Sequence, residues 1–495
     1  MLQGVNPLVI ALALPATYIV VWMINVTYIE YRIRRSPGVR AKVRSRSPFG
    51  VFMQIFQALY MQINNRMLEQ FNNAFKDEDP NCPNVVEMSY GPRRIIMTRD
   101  HEHIKTVLTS KFSNYGKGRF VHEASSPFLG DSIFTTDGQL WQKSRSLIRP
   151  MFTTDRLRDI EIFTKWSEKL LTKLPPSGQT VDMCELFYRM TLDVSTDFLL
   201  GQPVDALENP NSEFGHAFTD VQRMQVIRVI IFGLHKYLPF RKYFNGIKTI
   251  EKFINPYIES TLQLKPEELE KLSKSDREFT FLHNIALYSR DPKVIRDQIF
   301  AVLIAGRDTT AATLSWTMYE LSNKPEVWAK LRSQVLEQVG PTRVPTYDDL
   351  KSLTYLTHTL NEALLADSTL PTPPGQPEIT TFAGDIVIYS TMAMQRRSDL
   401  YPPVSEKFAD PAVFSPDRWE NWTPKPWQFV PFNGGPRICI GQNFAMTSMA
   451  FTMVRLIQKY ERIEYRGDWN AQYHKAELVG CPGQGVPLAL YEAKQ

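Results

Sequence analysis

Hydrophobic positions recur along most of the chain at helical spacing, and short β-like runs occur near the start and the end of the body. The clearest helix is predicted at 291–321, where an Asp-Pro start precedes a long apolar run. Its centre is apolar on all sides, so we expect it to be buried. The pattern also predicts helices over 325–340 and 347–364, and strands at 94–97 and 385–389. It therefore favours a mainly α fold with minor β.

The N-terminal segment has a different pattern. Residues 1–29 carry no charged side chain, and the stretch from Leu8 to Ile24 is almost entirely aliphatic or aromatic. About 20 such residues cross a bilayer as a helix. The residues that follow are rich in cations: Arg32, Arg34, Arg35, Arg40, Lys42, Arg44 and Arg46. The positive-inside rule then places the rest of the chain in the cytosol. A buried core helix is the alternative interpretation of the apolar segment.

This pattern predicts three parts: a transmembrane anchor at 1–29, a basic linker at 30–50 and a large folded body at 51–495. Residues 1–46 hold seven Lys or Arg and one Asp or Glu, whereas the remainder holds 50 basic and 51 acidic residues. The body is thus nearly neutral, which gives a nucleic-acid partner no support. The 4 cysteines lie far apart without zinc-ligand spacing, as expected of free thiols in a reducing compartment.

One cysteine lies in a glycine-rich loop. Residues 431–441 read PFNGGPRICIG, and a helix is predicted to begin at Gln442. The glycines allow the backbone to approach a flat partner closely. Backbone N–H groups, the helix start and the neighbouring Arg437 would favour the thiolate of Cys439. The alternative is a glycine-rich turn with a core cysteine.

The loop resembles the haem-binding loop of the cytochrome P-450 monooxygenases, and it matches F-x-x-G-x-R-x-C-x-G at every fixed position. The resemblance implies haem b as the cofactor and Cys439 as the axial thiolate ligand of its iron. It also implies that Phe432 packs near the thiolate and that Arg437 pairs with a haem propionate. Gly435 and Gly441 would complete the haem-binding loop.

A second signal lies midway along the predicted buried helix, where residues 305–310 read AGRDTT. An acid and two hydroxyls inside an apolar helix cost free energy unless they have partners or a purpose. The segment resembles the oxygen-activation motif of the same family. Ala305 and Gly306 would then lie over the haem, with Gly306 widening the groove. Thr309 would bond dioxygen there, and Asp308 would help to deliver protons.

Two further matches carry the resemblance. Trp141 and Arg145 are four residues apart and share a helix face, and the family analogy makes both propionate ligands. The stretch 414–419 fits the family's F-x-P-x-R-W, which places Arg418 against a helix glutamate.

The sequence departs from the family at that glutamate. Glu362 is present, but Leu365 stands where the E-x-x-R motif has its arginine. The chain then continues directly to Asp367 and Pro371, so a stretch of more than a dozen residues is missing. Breaking a buried charge network of this kind costs about 3–5 kcal/mol. Our hypothesis is a mis-assigned exon boundary or a damaged allele, which sequencing of the native transcript tests.

The resemblance implies a monooxygenase that inserts one oxygen atom of O2 into an apolar substrate. Residues 305–316 and 431–445 look most like the fungal membrane-bound branch that hydroxylates alkanes and fatty acids. Electrons would come from a separate membrane-bound NADPH–cytochrome P-450 reductase, with cytochrome b5 as an optional second donor. The expected location is the endoplasmic reticulum membrane, single-pass, with the body cytosolic.

Two alternatives stay open. The lost arginine and missing stretch motivate a catalytically impaired or non-catalytic haem-binding member. A lipid isomerase or dehydratase of the same fold is the other, although the Asp308–Thr309 pair argues against it. The apolar stretch 226–232 is either an access route for substrate on the membrane or a plain core helix.

Overall fold

The structure is a computed structural model that describes residues 7–36, 38–44, 47–76, 82–90, 93–153, 160–231, 233–274, 279–364, 379–382, 384–406 and 408–493. Leu365 and the expected gap at 367–371 fall outside the described residues.

Helices dominate the described residues. In chain order they are α1 (Pro7–Arg34), α2 (Gly50–Ile63), α3 (Met67–Ala74), α4 (His101–Leu108), α5 (Gly118–Leu129), α6 (Gly138–Ile148), α7 (Glu161–Thr172), α8 (Met183–Leu200), α9 (Glu213–Ile230), α10 (Arg241–Gln263), α11 (Pro266–Ser273), α12 (Phe281–Tyr288), α13 (Pro292–Ser322), α14 (Pro325–Gln338), α15 (Tyr347–Ser352), α16 (Thr354–Ala363), α17 (Thr391–Gln395), α18 (Arg418–Asn421) and α19 (Gln442–Lys459). Short 3-10 turns lie at Phe112–Asn114, Arg149–Phe152, Leu234–Tyr237, Ser398–Leu400, Gly435–Arg437 and Trp469–Ala471.

The strands form small sheets at the start and the end of the body, as predicted. They are β1 (Lys42–Val43), β2 (Val85–Tyr90), β3 (Arg93–Thr98), β4 (Thr180–Asp182), β5 (Ile386–Tyr389), β6 (Tyr460–Tyr465), β7 (His474–Lys475), β8 (Cys481–Pro482) and β9 (Pro487–Glu492). One sheet has the order β1-β2-β3-β5, in which only β2 and β3 pair antiparallel. A second has the order β4-β9-β6, and β7 pairs with β8.

Helix α13 is the central element of the fold. It has 31 residues, and the Asp291 carboxylate caps it by accepting the N–H of Lys293 at 2.8 Å. At ~1.5 Å per residue the helix is roughly 46 Å long. Its first half, from Ile295 to Ile304, packs in one hydrophobic cluster, and its second half, from Ala311 to Leu321, packs in another. The prediction of a long buried helix is confirmed.

The helix predicted over 347–364 is two helices, α15 and α16. Thr346 caps the first one through its hydroxyl, which accepts the N–H of Asp349. Leu353 then has φ −73° and ψ 71°, which lies outside the helical region and separates the two. Hydrophobic spacing does not reveal this break, because the apolar face continues across it.

Helix α1 is not a buried core helix. Its apolar side chains are largely exposed: Val20, Val21, Met23, Ile24, Tyr28 and Tyr31. Among the helices of the described residues, none has both the length and the apolar character required to traverse a bilayer. The far end of α1 contacts the first sheet, where the guanidinium of Arg32 lies 3.8 Å from the ring centroid of Phe382.

Candidate active site

The loop that carries Cys439 folds back on itself. The N–H of Cys439 donates to the carbonyl of Phe432 at 2.9 Å, and this bond closes the loop. Gly441 then lies at the start of α19, as the sequence predicts. Since α19 packs against α13, the loop is placed next to the central helix.

The loop's glycines are required by close contacts. Gly435 has φ +60°, and a Cβ there would overlap the carbonyl oxygen of Leu108 at the end of α4. A Cβ at Gly434 would overlap the indole ring of Trp427, so the flat partner of this glycine is a protein side chain. At Gly441 a Cβ would meet Phe152 only at an ordinary 3.6 Å. Two of the three glycines therefore let the loop pack on the rest of the protein.

Cys439 is the exposed member of the free cysteines, whereas Cys82, Cys184 and Cys481 are buried. Loss of solvent around the thiol raises the pKa of Cys439, although the N–H of Gly441 and the Arg145 guanidinium act in the opposite direction. The backbone N–H and the nearby cation thus favour the thiolate as expected, and desolvation opposes them. Cys439 is exposed, yet its thiol is surrounded by many protein atoms. It therefore loses much of its hydration although part of its surface remains accessible.

Two arginines flank the cysteine, and they have different partners. Arg145 donates from Nη1 to the carbonyl of Ile438 at 3.0 Å, and its guanidinium lies 5.8 Å from the Trp141 ring. This confirms that Trp141 and Arg145 share a helix face. The guanidinium of Arg437 lies 4.8 Å from the centroid of the Trp141 ring. Its Nη2 pairs with Oδ1 of Asp137 at 2.6 Å. The sequence expected Arg437 beside the thiolate, but the structure has Arg145 there.

Asp137 is a site residue that sequence reasoning missed. Besides pairing with Arg437, its carboxylate accepts the N–H groups of Lys117 at 2.9 Å and Gly118 at 3.0 Å. It therefore ties the start of α5 to the cysteine loop.

Thr309 is distinct among the residues of α13. Between residues 294 and 322 it is the single exposed position of the described helix. Its hydroxyl donates to the carbonyl of Ala305 at 2.7 Å, which is the usual local bond of a threonine inside a helix. An exposed hydroxyl in the middle of a buried helix marks the part of α13 that is open to a small molecule.

Asp308 and Gly306 face other helices. Asp308 is 3% exposed and pairs with Arg307, whose Nη1 lies 3.2 Å from its Oδ1. Burial raises the pKa of Asp308, and Arg307 opposes that rise. A Cβ at Gly306 would lie 2.9 Å from the hydroxyl of Ser195 on α8, so close helix packing also requires this glycine.

The structure places Arg418 against Glu362, which is the buried glutamate of α16. Nε of Arg418 lies 3.0 Å from Oε1 of Glu362. The carboxylate also accepts the N–H of Ser415 at 3.1 Å and the indole N–H of Trp419 at 2.8 Å. Sequence reasoning did not assign a role to Trp419, although it belongs to the matched motif.

A cavity of about 600 Å³ lies beside α13. Apolar side chains from three helices form much of its wall: Leu129, Val226, Val229, Ile230, Ile304 and Ala312. The stretch 226–230 therefore forms a cavity wall; Phe232 lies outside the described residues. Ile304, Ala312 and Thr313 line the cavity, so it borders α13 on both sides of Thr309 in the sequence, although Thr309 itself is not part of its wall.

The residues present fit a haem group. Cys439 supplies a soft sulfur donor of the kind that binds iron, and it is accessible at the end of a rigid loop. Arg145 and Arg437 supply cations of the kind that pair with carboxylates such as the haem propionates. Apart from this thiol, the described residues contain no cluster of His, Cys, Asp and Glu that could hold a metal ion.

Comparison with known proteins identifies the family. The family model described as Cytochrome P-450 matches residues 46–479. The chain is 43% identical over 446 residues to the cytochrome P-450 monooxygenase pvhE of Talaromyces variabilis, covering 83% of each protein. It is 34% identical over 416 residues to cytochrome P-450 52A1 of Candida tropicalis, covering 77% of this chain and 74% of that protein. Cytochrome P-450 52A13 of Debaryomyces hansenii is 32% identical over 471 residues and covers 88% of both.

These matches agree with the fold and with the cysteine loop. The chain is a monooxygenase that binds haem b, takes electrons from NADPH through a reductase and acts on an apolar substrate with O2. The mainly helical architecture with small sheets is the fold of its family. This chain therefore belongs to the cytochrome P-450 family of haem-dependent monooxygenases.

Proposed function

We propose that this monooxygenase hydroxylates long apolar molecules, alkanes or fatty acids, at a haem site built on Cys439. The observation that carries the proposal is the largely apolar cavity beside α13, whose wall includes Ile304, Ala312 and Thr313. A cavity of about 600 Å³ is of the size that small-molecule sites have. The similarity of residues 305–316 and 431–445 to the fungal alkane and fatty-acid branch supports the choice of substrate.

Cys439 is the proposed ligand of the haem iron. When bound, the haem with a thiolate ligand supplies electron density that favours cleavage of the O–O bond. Trp141, Arg145 and Arg437 would hold the propionates by hydrogen bonds and charge. For Arg437 this requires that a propionate replace or share its contact with Asp137.

The remaining site residues would shape the haem site. Phe432, Gly435 and Gly441 belong to the cysteine loop, and Ala305 and Gly306 lie on the part of α13 next to Thr309. Glu362 and Arg418 would support the cysteine loop indirectly, because their ion pair and the Trp419 hydrogen bond fix the segment that precedes the loop in the chain.

Thr309 and Asp308 are the proposed proton-delivering groups. Thr309 is an exposed position of α13, between the cavity-lining Ile304 and Ala312 in the sequence, so its hydroxyl can donate to a bound molecule after it leaves the Ala305 carbonyl. Asp308 is the adjacent buried acid that would pass protons on to Thr309; burial raises its pKa, and Arg307 opposes that rise.

The N-terminal segment is the proposed membrane anchor. Residues 1–29 lack charge, and the apolar side chains of α1 that are described are exposed to the surroundings. Seven cations follow between Arg32 and Arg46, which suits a single pass with a cytosolic catalytic domain at 51–495 and a linker at 30–50. The endoplasmic reticulum is the proposed location. A membrane-bound reductase, assisted by cytochrome b5, would then share the bilayer with the enzyme.

The test is the reduced carbon-monoxide difference spectrum of the full chain, recorded for the native protein and for Cys439→Ala. We expect a strongly red-shifted Soret band in the native protein and its loss in Cys439→Ala. Cys82→Ala is the matched control, because Cys82 is a buried cysteine of the first sheet region. A native spectrum without the shifted band would overturn the role of Cys439.

Substrate class is tested separately, with reductase and NADPH. Dodecane and dodecanoate are supplied in turn, and hydroxylated products are identified by mass spectrometry. Products that contain one added oxygen atom from O2 support the proposal. A native thiolate spectrum without any product from either compound would contradict the substrate class.

A further inference from the structure

We propose that Glu477 binds a hydroxyl group of the substrate, so that the enzyme prefers an apolar molecule carrying one hydrogen-bond donor, such as a long-chain alcohol. This inference rests on the proposed function, because it assumes that the cavity beside α13 holds the substrate. It assigns a specificity residue to the segment between β7 and β8, of which residues 476–480 line the cavity.

Most of the polar side chains in the cavity wall are already engaged with the protein. Gln225 donates to the hydroxyl of Ser125 at 3.0 Å and to a backbone carbonyl, and it accepts the Tyr243 hydroxyl at 2.6 Å. Gln62 donates to the carbonyl of Ala476. Thr313 donates to the carbonyl of Thr309 at 2.9 Å. These groups have little hydrogen-bonding capacity left for a ligand.

Glu477 differs from them. Its two cationic partners contact the same oxygen: Arg223 Nη2 and Lys475 Nζ each lie 3.0 Å from Oε1. Among the described residues, no hydrogen bond reaches Oε2. The side chain is 14% exposed and lines the cavity. A fixed carboxylate with one oxygen available is an acceptor for a donor group on a ligand.

The charges around Glu477 come from three elements. Arg223 lies on α9, Lys475 on β7, and the buried pair of Arg307 and Asp308 on α13. Two cations face the single Glu477 carboxylate, so these three groups carry a net charge of +1, and the pair on α13 cancels itself. The site therefore disfavours a cationic ligand, and Oε2 accepts a hydrogen bond from a neutral hydroxyl.

An alcohol would donate to Oε2 while its chain lies along the apolar wall formed by Val226, Val229 and Ile304. A hydrogen bond to a charged group favours the donor-bearing ligand by about tenfold or more in affinity. A site built to bond a substrate hydroxyl also discriminates against an analogue without it.

The experiment is calorimetric titration of the haem-loaded full chain in detergent with three probes of equal chain length. These are dodecane, 1-dodecanol and dodecyl methyl ether, which keeps the oxygen but lacks the donor. We expect 1-dodecanol to bind about tenfold more tightly than the ether or the alkane. Because this comparison uses the native protein, it does not depend on the folding of a variant.

The variant Glu477→Ala is then expected to bind all three probes equally. Glu461→Ala is the matched control, since Glu461 is an exposed glutamate of β6 away from the cavity. Dodecanoate is the last probe. Tighter binding of dodecanoate than of 1-dodecanol, lost in Arg223→Ala, would show that the cations bind an anionic head group and would overturn the inference.

The outcomes separate this inference from the proposed function. Equal binding of the three probes to the native chain, or a preference for 1-dodecanol that survives in Glu477→Ala, overturns the role of Glu477 and leaves the apolar cavity intact. If none of the probes binds although the thiolate spectrum is present, the substrate class proposed above is overturned as well.

Discussion

Glu362 and Arg418 form a buried ion pair in which Nε of Arg418 lies 3.0 Å from Oε1 of Glu362. Both residues are nearly inaccessible, at 2% and 1% exposed. The two neutral donors, the N–H of Ser415 and the indole of Trp419, complete the coordination of the carboxylate. The family motif would supply Glu362 with a second arginine. Here its carboxylate is instead contacted by one cation, Arg418, and by two neutral N–H donors. This arrangement gives the non-catalytic alternative no support from the Glu362 site.

The Glu362 carboxyl should make stability depend on pH. Burial raises its pKa from 4.5 to about 7, although Arg418 opposes the rise. Between these two values the native state keeps a proton that the unfolded state has lost. The free energy of unfolding should therefore fall as pH rises from about 4.5 to about 7, and level off above. The contribution is roughly 3 kcal/mol.

Urea unfolding at pH 5, 6, 7 and 8 measures this effect. Glu362→Gln should remove the descending part of the profile, because the amide does not titrate. Glu461→Gln, an exposed glutamate, should keep the native profile. A native profile identical to that of Glu362→Gln would show that Glu362 stays ionised throughout.

Trp419 is expected to stabilise the protein through its indole N–H. Trp419→Phe keeps an aromatic ring against Phe429, whose centroid lies 4.8 Å away, but it removes the donor to Oε2 of Glu362. A buried carboxylate oxygen without its partner costs about 1–3 kcal/mol. Urea unfolding at pH 8 should show this loss.

The control for that variant is Trp422→Phe. Trp422 packs on Tyr401, with ring centroids 4.7 Å apart, and so reports the loss of ring area alone. If the two variants lose the same stability, the indole N–H of Trp419 contributes nothing beyond packing. The Glu362→Gln background gives a second check, since the penalty for Trp419→Phe should shrink there.

The parts of the fold that the sequence predicts are those determined by local signals. Helix α13 has a capping aspartate and a continuous apolar surface, so its bounds follow from neighbouring residues. The strands β3 and β5 are short β-branched runs, and they pair in parallel, 291 positions apart from Ile95 to Ile386. The sequence predicts each strand but not their pairing, because pairing depends on the whole chain path.

The same reason explains what was missed at the site. Arg437 meets Asp137, which lies 300 residues earlier, and Glu477 meets Arg223, which lies 254 residues earlier. No local pattern reports such contacts. The desolvation that raises the pKa of Cys439 was also not predicted, since motif residues indicate nearby charge but not the loss of solvent.

Thr309→Val should reduce turnover by about 10²-fold while leaving haem binding and substrate affinity unchanged. Valine keeps the shape of threonine but lacks the hydroxyl that the proposed proton delivery needs. Steady-state kinetics with reductase and NADPH measure kcat, and the difference spectrum measures haem content. Thr317→Val is the control on the same helix, because Thr317 is fully buried and bonds only the Thr313 carbonyl, at 2.8 Å. Equal activity of the two variants would remove Thr309 from the mechanism.

Asp308 combines a structural and a proposed chemical role, and two variants separate them. Asp308→Asn leaves the buried guanidinium of Arg307 without its anionic partner at 3.2 Å. Removal of one member of a buried pair costs about 3–5 kcal/mol of unfolding free energy. We therefore expect Asp308→Asn to lower both stability and turnover, measured by urea unfolding and by steady-state kinetics.

The double variant Arg307→Met with Asp308→Leu distinguishes the two roles. Replacing a whole buried pair by apolar residues of similar volume is often neutral or stabilising. The double variant should accordingly regain stability close to that of the native protein. If Asp308 delivers protons, turnover should stay low, and the solvent isotope effect on kcat should change because the proton reaches Thr309 by another route. Recovery of native turnover together with stability would instead show that Asp308 serves only to balance the charge of Arg307.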